Sequence, residues 1–190
     1  MLADLVELLT PESRVLDAGA GTGAVSRHVA ELQPEAHLTL VDASKRMLDK
    51  AADVGDVRLV QDVGELPFED ESFDIITCAW VLETVDDPKA AVTELLRVLS
   101  ADGFLLYTFC SMPDGWLSRA GSSLLRAAVT EGFAGEFLSP EDTPWHDCDR
   151  SRKMSFHGGL STYVLLRKCC QVEADALPPV RMSDVPSTLR

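Results

Sequence analysis

Before position 110, short apolar runs alternate along the chain with segments whose apolar residues lie three and four positions apart. Short, nearly continuous apolar runs, which are typical of strands covered on both faces, predict five strands. These runs are Arg14 to Asp17, His37 to Asp42, Val57 to Gln61, Phe73 to Trp80 and Phe104 to Phe109. Because apolar residues at helical spacing alternate with the runs, the chain is predicted to be an α/β protein with a doubly wound, mainly parallel sheet.

Apolar residues three and four positions apart predict four helices around these strands. The apolar positions of the four helices are, in order, Leu2, Leu5, Val6 and Leu9; Val25, Val29 and Leu32; Met47, Leu48 and Ala51, directed inward; and Ala91, Val92, Leu95, Leu96 and Leu99. Ser44 is the predicted N-cap of the third helix and Asp87 that of the fourth. Asp102-Gly103 is predicted to turn the chain into the fifth strand.

A glycine-rich turn follows the first strand. Residues 15–23 have the pattern of a buried strand that breaks at Gly19, Gly21 and Gly23 before a helix begins. Glycine has no Cβ and tolerates positive φ, so a ligand can approach the backbone closely. The free N–H groups of the following helix point to the same place. The stretch therefore predicts a small-molecule site.

Two kinds of cofactor fit a glycine turn in this position. Gly19-x-Gly21-x-x-Ala24 meets the loose dinucleotide fingerprint, and Asp42 lies near the expected position of its ribose-binding acid. Asp17 argues against a dinucleotide, because a carboxylate at the strand end would face a pyrophosphate of like charge. S-adenosylmethionine instead carries an ammonium and a sulfonium group, which Asp17 would attract.

The pattern Asp-x-Gly-x-Gly-x-Gly in residues 17–23 resembles motif I of the class I S-adenosylmethionine-dependent methyltransferases. Residues 62–74 and 81–103 extend the resemblance. They are similar to the adenine-binding acid, the Leu-Pro-Phe loop and the fourth strand and helix of the small-molecule methyltransferases of ubiquinone and menaquinone biosynthesis, which have a methyltransferase type 11 domain. One departure is Thr84, where these enzymes often carry the His of a Glu-His pair.

The resemblance implies a role for each matching position. Asp17 and the glycine turn would hold the methionine end, Asp42 would bind both ribose hydroxyls, and Asp62 would bind the adenine amino group. The implied cofactor-binding residues are Asp17, Ala18, Gly19, Gly21, Gly23, Asp42, Ala43, Met47, Asp62, Val63, Cys78, Ala79 and Trp80. Purely structural alternatives stay open: a turn that serves packing, acids that cap loops or are solvated, and Met47 as helix core.

The resemblance also implies a Rossmann-like sheet of about seven strands, closed by an antiparallel hairpin. Ser161 to Lys168 fits the last strand, and Gly158-Gly159 would form the hairpin turn. Only about Arg152 to Phe156 is left for strand six, which is therefore predicted to be short.

The predicted organisation is one methyltransferase domain, residues 1–170, followed by an extended tail, residues 171–190. Within the domain, residues 11–110 would form the cofactor-binding core. Residues 111–157 would form an acceptor-side cap, with a helix from Asp114 to about Thr130, because this segment usually helps to cover the site in this fold.

Methyl transfer from a sulfonium is an in-line displacement that needs little acid–base help when the acceptor is already nucleophilic. A weakly acidic acceptor would need a base near its proton. His146 is the candidate catalytic base, and Asp147 could orient it. The alternative is that His146 is a surface-loop histidine.

Charge and cysteine usage narrow the partners and the location. The net charge of −14 repels nucleic acid and anionic membranes, so a small-molecule acceptor is expected. The chain start has no basic region before a long apolar core, which predicts a cytoplasmic protein. The five cysteines have no paired Cys-x-x-Cys spacing, so reduced thiols and no metal are expected. A homodimer is possible.

Two other functions are compatible with these residues. One is an oxidoreductase that uses an NAD-type dinucleotide. The other is a catalytically silent nucleoside-binding module that acts through a partner.

Overall fold

The computed structural model describes residues 2–110, 138, 151–156 and 161–168. The strands are β1 Arg14–Ala18, β2 His37–Asp42, β3 Val57–Val60, β4 Phe73–Ala79, β5 Leu99–Cys110, β6 Ser151–Phe156 and β7 Ser161–Arg167. The α-helices of these residues are α1 Leu2–Leu8, α2 Ala24–Leu32, α3 Lys45–Leu48 and α4 Pro88–Val98. A 3₁₀ turn at Asp49–Ala51 continues α3.

All seven strands form one sheet in the order β3-β2-β1-β4-β5-β7-β6. The pairs among β1 to β5 are parallel, whereas β7 pairs antiparallel with both β5 and β6. The doubly wound α/β sheet with an antiparallel β7 is therefore confirmed. Its order reverses between β1 and β4, because the chain moves outward through β2 and β3 and then returns to the other side of β1.

The helices cover both faces of the sheet, as alternation along the strands requires. Leu16 and Ile76 belong to the buried cluster that includes the inward residues of α4. Val15 and Ile75 belong to a second cluster with residues of α1, α2 and α3. Parallel strands buried on both faces explain the nearly continuous apolar runs in the sequence.

The start of β5 differs from the prediction. Leu99 pairs with Phe73 as the first residue of β5 and does not belong to α4. The register then shifts, and Asp102 adopts a φ of 65° inside the strand. The predicted turn at Asp102-Gly103 is thus an irregularity within β5. Helical spacing placed Leu99 in the helix because a buried residue directly after α4 continues the same apolar stripe.

Two apolar residues at helical spacing are exposed, and one of them, Met47, was predicted to be directed inward. Val6 is 58% exposed because α1 turns Leu5, and not Val6, toward the sheet. Met47 is 41% exposed, and Leu48 and Ala51 alone fill the space beneath α3. A helix of four residues has too little length to bury three neighbouring positions on one side.

The closing hairpin is present, and its first strand agrees with the predicted range to within one residue. β6 begins at Ser151 and pairs with β7 at six positions, and with six residues it is half as long as β5. The predicted helix from Asp114, the predicted turn at Gly158-Gly159 and the predicted tail lie outside the described residues.

Candidate active site

The parallel strands bring their carboxyl ends to one edge of the sheet. Ala18 at the end of β1 is in register with Val41, and Asp42 directly follows at the end of β2. Ala79 ends β4 on the other side of β1. The crevice outside the carboxyl ends of two strands, where the strand order reverses, is where open α/β sheets bind ligands. The candidate site therefore lies above β1 and β4.

The glycine turn folds from β1 back onto β2. The backbone N–H groups of Gly19 and Ala20 both donate to the carbonyl oxygen of Val41, at 2.7 and 2.9 Å. Gly19, Gly21 and Gly23 have φ values of 73°, 57° and 81°. This left-handed region favours glycine, so the alternating glycines are required by the path of the chain into α2.

Gly19 and Gly21 have different surroundings. A Cβ added to Gly19 would lie 2.1 Å from Cγ2 of Val81, so the loop after β4 packs directly on this part of the turn. A Cβ added to Gly21 would meet no atom within 4 Å. The backbone of Gly21 is therefore not covered by other protein atoms on this side, so a ligand could approach it closely.

Asp42 links the turn to the end of β2. Its Oδ2 accepts a hydrogen bond from the Gly21 N–H, and its Oδ1 accepts one from the Ser44 N–H, both at 2.8 Å. Each oxygen of a carboxylate has two lone pairs, so each retains one acceptor position. The side chain is half-buried and fixed in orientation. This arrangement suits recognition of two neighbouring hydroxyl groups.

Asp17 lies beneath the turn and is 2% exposed. Its Oδ2 accepts a hydrogen bond from the Ser26 hydroxyl at 2.5 Å, and its Oδ1 accepts one from the Thr77 hydroxyl at 2.8 Å. Burial raises the pKa of Asp17. The hydrogen bonds from the Ser26 and Thr77 hydroxyls lower it, but by less than burial raises it. The structure thus gives Asp17 a clear role in joining β1, α2 and β4. Its contact with the methionine end stays a prediction.

Asp62 lies on an exposed loop after β3. Its Oδ1 accepts a hydrogen bond from the Gly64 N–H at 2.7 Å, and the neighbouring Val63 is 4% exposed. The loop is held to α4 by Glu94, whose Oε1 accepts from the Leu66 N–H at 2.8 Å. The position of the loop that begins at Asp62 is therefore set by α4 as well as by β3.

Arg97 of α4 strengthens the same attachment. Its guanidinium donates to the carbonyl oxygens of Phe68 at 2.9 Å and Leu66 at 3.1 Å. It also forms ion pairs with Asp70 and Glu94, each at 2.7 Å. The Leu-Pro-Phe loop is thus fixed by its backbone.

The remaining predicted residues flank the crevice. Ala43 and Met47 are exposed beside Asp42, so both are available to flank a ligand, and Met47 is not helix core. Cys78 is fully buried, and burial, with the nearby charges of Asp17 and Glu83, raises the pKa of its thiol. Cys78 can therefore contribute through its backbone only.

Trp80 has a strained, left-handed backbone conformation. Its φ is 61°, which is unusual for a bulky residue, and its side chain is half exposed. The Trp80 N–H donates to the Thr108 hydroxyl at 3.0 Å, which fixes this turn to β5. Ala79, directly before it, ends β4 and is partly exposed.

Glu83 was missed by sequence reasoning. It is 4% exposed, and among the described residues neither of its carboxylate oxygens has a hydrogen-bond partner. Burial raises the pKa of Glu83 to about 7, although its own backbone and the thiol and backbone of Cys110 act to lower it. A signal existed in the sequence, since Glu83 stands beside Thr84 where the resemblance expects a Glu-His pair. A buried carboxyl without partners is unusual and marks functional sites.

His146, the predicted base, lies outside the described residues, as does Asp147. Within the described part of the chain, no group of three or more His, Cys, Asp or Glu side chains could hold a metal ion. No helix in that part is both long and apolar enough to cross a membrane.

A glycine turn after β1, an acid at the end of β2 and an antiparallel final strand define a class I methyltransferase fold. Residues 16–107 match the family model described as "Methyltransferase domain". A match to a methyltransferase domain favours the methyltransferase expectation over the dinucleotide alternative.

Curated relatives agree with the family. The demethylmenaquinone methyltransferase of Clavibacter sepedonicus is 32% identical over 148 residues, which are 70% of this chain and 60% of that protein. The ubiquinone/menaquinone biosynthesis C-methyltransferase of Vibrio vulnificus is 40% identical over 112 residues, 54% of this chain and 43% of that protein. The chain thus spans about half the length of the curated relatives it matches.

Solved structures share the fold. The YcgJ protein of Bacillus subtilis has a TM-score of 0.66 at 19% identity. The match covers 88% of this chain and 97% of YcgJ. A possible histamine N-methyltransferase of Thermotoga maritima has a TM-score of 0.59 at 22% identity, with coverages of 88% and 89%. At these identities the likeness extends to the fold.

Proposed function

We propose that this protein transfers a methyl group from S-adenosylmethionine to a small-molecule acceptor by direct in-line displacement. The observation that carries the proposal is Asp42, fixed at the end of β2 by the Gly21 and Ser44 N–H groups. It offers two oriented acceptor positions beside open glycine backbone. These acceptor positions fit a nucleoside with a free ribose, such as S-adenosylmethionine, and residues 16–107 match a methyltransferase-domain model.

The described residues fit the parts of the cofactor. Asp42 would accept hydrogen bonds from both ribose hydroxyls, with Ala43 and the exposed Met47 beside the adenine. Asp62 would accept from the adenine amino group, and the Val63 N–H lies next to it in the chain. The glycine turn, Ala18 and the backbone of Cys78 to Trp80 would surround the methionine end. When bound, the cofactor supplies an electrophilic methyl group on a sulfonium.

The protein's own contribution is mainly positioning. The hydrogen bonds of Asp17, Thr77 and Ser26 hold β1, β4 and α2 together below the site. A rigid crevice holds the two reactants in line, and alignment of this kind can lower a barrier by up to ~7–11 kcal/mol. Residues 111–157, as the acceptor-side cap, would exclude water from the reaction, and His146 stays a candidate base on it.

The curated relatives suggest the kind of acceptor. They are named for methylation in ubiquinone and menaquinone biosynthesis, so we propose a quinone-type or similarly planar small molecule for this chain. The lack of nucleic-acid and membrane partners stays a prediction from the net charge. A cytoplasmic location and a homodimer also stay predictions. A silent module acting through a partner is the alternative.

Calorimetric titration with S-adenosylhomocysteine tests the cofactor site. Asp42→Asn keeps the size of the side chain and removes its charge. The dissociation constant should increase by about 10-fold or more, because a charge-assisted hydrogen bond to each ribose hydroxyl is weakened. Asp49→Asn is the matched control, since Asp49 is an exposed acid on the adjoining 3₁₀ turn and pairs with Lys45.

The outcome discriminates between the functions. Equal affinity of wild type and Asp42→Asn would refute the role of Asp42. Binding of NAD and not of S-adenosylhomocysteine would refute the methyltransferase proposal. Tight binding of S-adenosylhomocysteine with no transfer to any acceptor would favour the silent module.

A further inference from the structure

The buried carboxyl group of Glu83 has no structural explanation in the described part of the chain. It forms no ion pair with a described residue, and no hydrogen bond of normal geometry from these residues reaches either oxygen. The thiol and backbone of Cys110 lie close enough to lower the pKa of Glu83, but by less than burial raises it. A buried carboxylate without compensation destabilises a fold by several kcal/mol. An amide or an apolar side chain would avoid that cost. A chain that keeps a carboxyl here has a use for it that the folded protein alone does not supply.

The position of Glu83 is at the carboxyl edge of the sheet. It follows β4 by four residues, in the loop whose Val81 packs on Gly19. The charge of Glu83 contributes to raising the pKa of the Cys110 thiol to about 11, after burial as the main cause. Cys110 is the last residue of β5, so the carboxyl lies where β4 and β5 both end. This is the side of the crevice opposite Asp42 and β2 in the strand order.

Among the described residues, the titratable groups next to Glu83 are two thiols, and neither carries a charge that would fix the protonation state of the carboxyl group. Cys110 on β5 and Cys78 on β4 both have raised thiol pKa values, so both thiols are neutral near pH 7. A thiol is only a weak hydrogen-bond donor. Because burial raises the pKa of Glu83 to about 7, a small change in its surroundings decides whether it is ionised.

Trp80 gives the same loop a second feature that suits a ligand. Its left-handed backbone is fixed by Thr108 while its side chain remains 50% exposed. Backbone strain of this kind costs about 1–3 kcal/mol and concentrates at binding sites. A half-exposed indole provides a flat apolar surface with one polar edge. An acceptor bound against this indole would lie on the loop that carries the buried carboxyl group of Glu83, three residues further along the chain.

We propose that Glu83 is the general base of methyl transfer, and that the acceptor is a protic small molecule whose O–H, N–H or activated C–H proton Glu83 removes. The inference rests on the proposed function and specifies the acceptor class of that site. Acceptors that are already nucleophilic without proton loss do not need Glu83.

The step balances without a further reactant. The acceptor atom forms a bond to the methyl carbon while the bond between methyl carbon and sulfur breaks, and that electron pair stays on sulfur as the thioether of S-adenosylhomocysteine. The acceptor's proton moves to a Glu83 oxygen. The neutral carboxyl then releases the proton to solvent when the products leave, which its pKa near 7 permits.

Transfer of a radiolabelled methyl group from S-adenosylmethionine tests the proposal. The protic probes are 1,4-dihydroxynaphthalene, kept reduced, and a set of simple phenols and enols, and the aprotic probe is a thioether. Glu83→Gln keeps the size and removes the base. It should lower kcat for protic probes by about 100-fold or more, the usual contribution of a general base. The wild-type rate should rise with pH through about 7, and the variant should lose that rise.

Three measurements separate this role from a structural one. Glu83→Asp, which keeps a carboxyl, should retain part of the rate and a pH-dependent rise. Asp86→Asn removes an exposed acid from the same loop and should change nothing. The affinity for S-adenosylhomocysteine should be unaffected by Glu83→Gln, which also shows that the variant is folded.

Three other results would contradict, respectively, the proposed function, the protic acceptor and the role of Glu83. If wild type does not bind S-adenosylhomocysteine, the proposed function fails. If it binds and methylates no protic probe, or only the thioether, the protic acceptor is wrong. If Glu83→Gln methylates protic probes at the wild-type rate with the same pH profile, Glu83 is not the base.

Discussion

Thr77 on β4 donates a hydrogen bond from its hydroxyl to Oδ1 of Asp17 on β1, at 2.8 Å, and both side chains are buried. The bond joins the two strands between which the sheet order reverses, directly below the glycine turn. Ser26 of α2 completes the group by donating to Oδ2. The first acid of the motif is thus the centre of a small buried polar network under the site.

Asp17→Ala should destabilise the protein strongly. The hydroxyls of Ser26 and Thr77, both fully buried, would lose their acceptor. Each unpaired buried group costs about 1–3 kcal/mol, so a loss of about 2–5 kcal/mol in the free energy of unfolding is expected by urea titration. Asp17→Asn keeps one acceptor oxygen and should lose less. A change below about 0.5 kcal/mol for Asp17→Ala would contradict the network.

Gly19→Ala should weaken cofactor binding through Val81. The added Cβ would lie 2.1 Å from Cγ2 of Val81, and the φ of 73° is strained for alanine. Displacing the loop after β4 should lower both stability and the affinity for S-adenosylhomocysteine, measured by thermal melting and calorimetry. Adding Val81→Ala should restore part of both. No recovery in the double variant would show that the clash is not the cause.

Gly21→Ala is the matched comparison. Its Cβ would meet no protein atom within 4 Å, so only the φ of 57° should cost stability, about 1–2 kcal/mol. If Gly21 faces the cofactor, the affinity of Gly21→Ala for S-adenosylhomocysteine, measured by calorimetry, should decrease by more than this small loss of stability explains.

Glu83→Gln should change how stability depends on pH. The pKa of Glu83 is raised from 4.5 to about 7, so between these values the folded state holds a proton that the unfolded state has released. The free energy of unfolding of wild type therefore falls as pH rises through this window. Cys78 and Cys110 stay neutral there and do not contribute.

The variant should lack this decrease and be more stable than wild type at pH 8 by up to about 3 kcal/mol, and by much less at pH 5. Urea titrations of both proteins at the two pH values measure the difference. A constant difference across the range would mean that the carboxyl does not titrate near 7.

Arg97→Lys should loosen the Leu-Pro-Phe loop. A lysine cannot reproduce the fork that contacts the Phe68 and Leu66 carbonyl oxygens and two acids. A loss of about 1–2 kcal/mol in unfolding free energy is expected, with weaker cofactor binding because Asp62 lies at the start of the loop. Arg14→Lys is the control, since the exposed pair with Asp74 should contribute less than about 1 kcal/mol. Equal effects of the two changes would contradict the anchoring role.

Local patterns predicted the elements because each depends on neighbours in the chain. The apolar run of β4 and the cap of α4 are examples: Asp87 accepts hydrogen bonds from the Lys89 and Ala90 N–H groups, as its position before Pro88 predicted. The errors arose where a residue's burial depends on what packs against its element. Val6 and Met47 have the spacing of inward residues but face away from the sheet.

The sequence by itself determined the strand and helix order, the glycine turn and the acids at or just beyond the ends of β1, β2 and β3, because backbone propensity and apolar period are local properties. Only the tertiary structure decided what those acids contact. It bonded Asp17 to Ser26 and Thr77, fixed both oxygens of Asp42 with the Gly21 and Ser44 N–H groups, and buried Glu83 beside Cys110 without a hydrogen bond of normal geometry from the described residues. Hydrogen bonding and burial between residues some 60 positions apart arise only when the strands pair, and no local pattern contains that information.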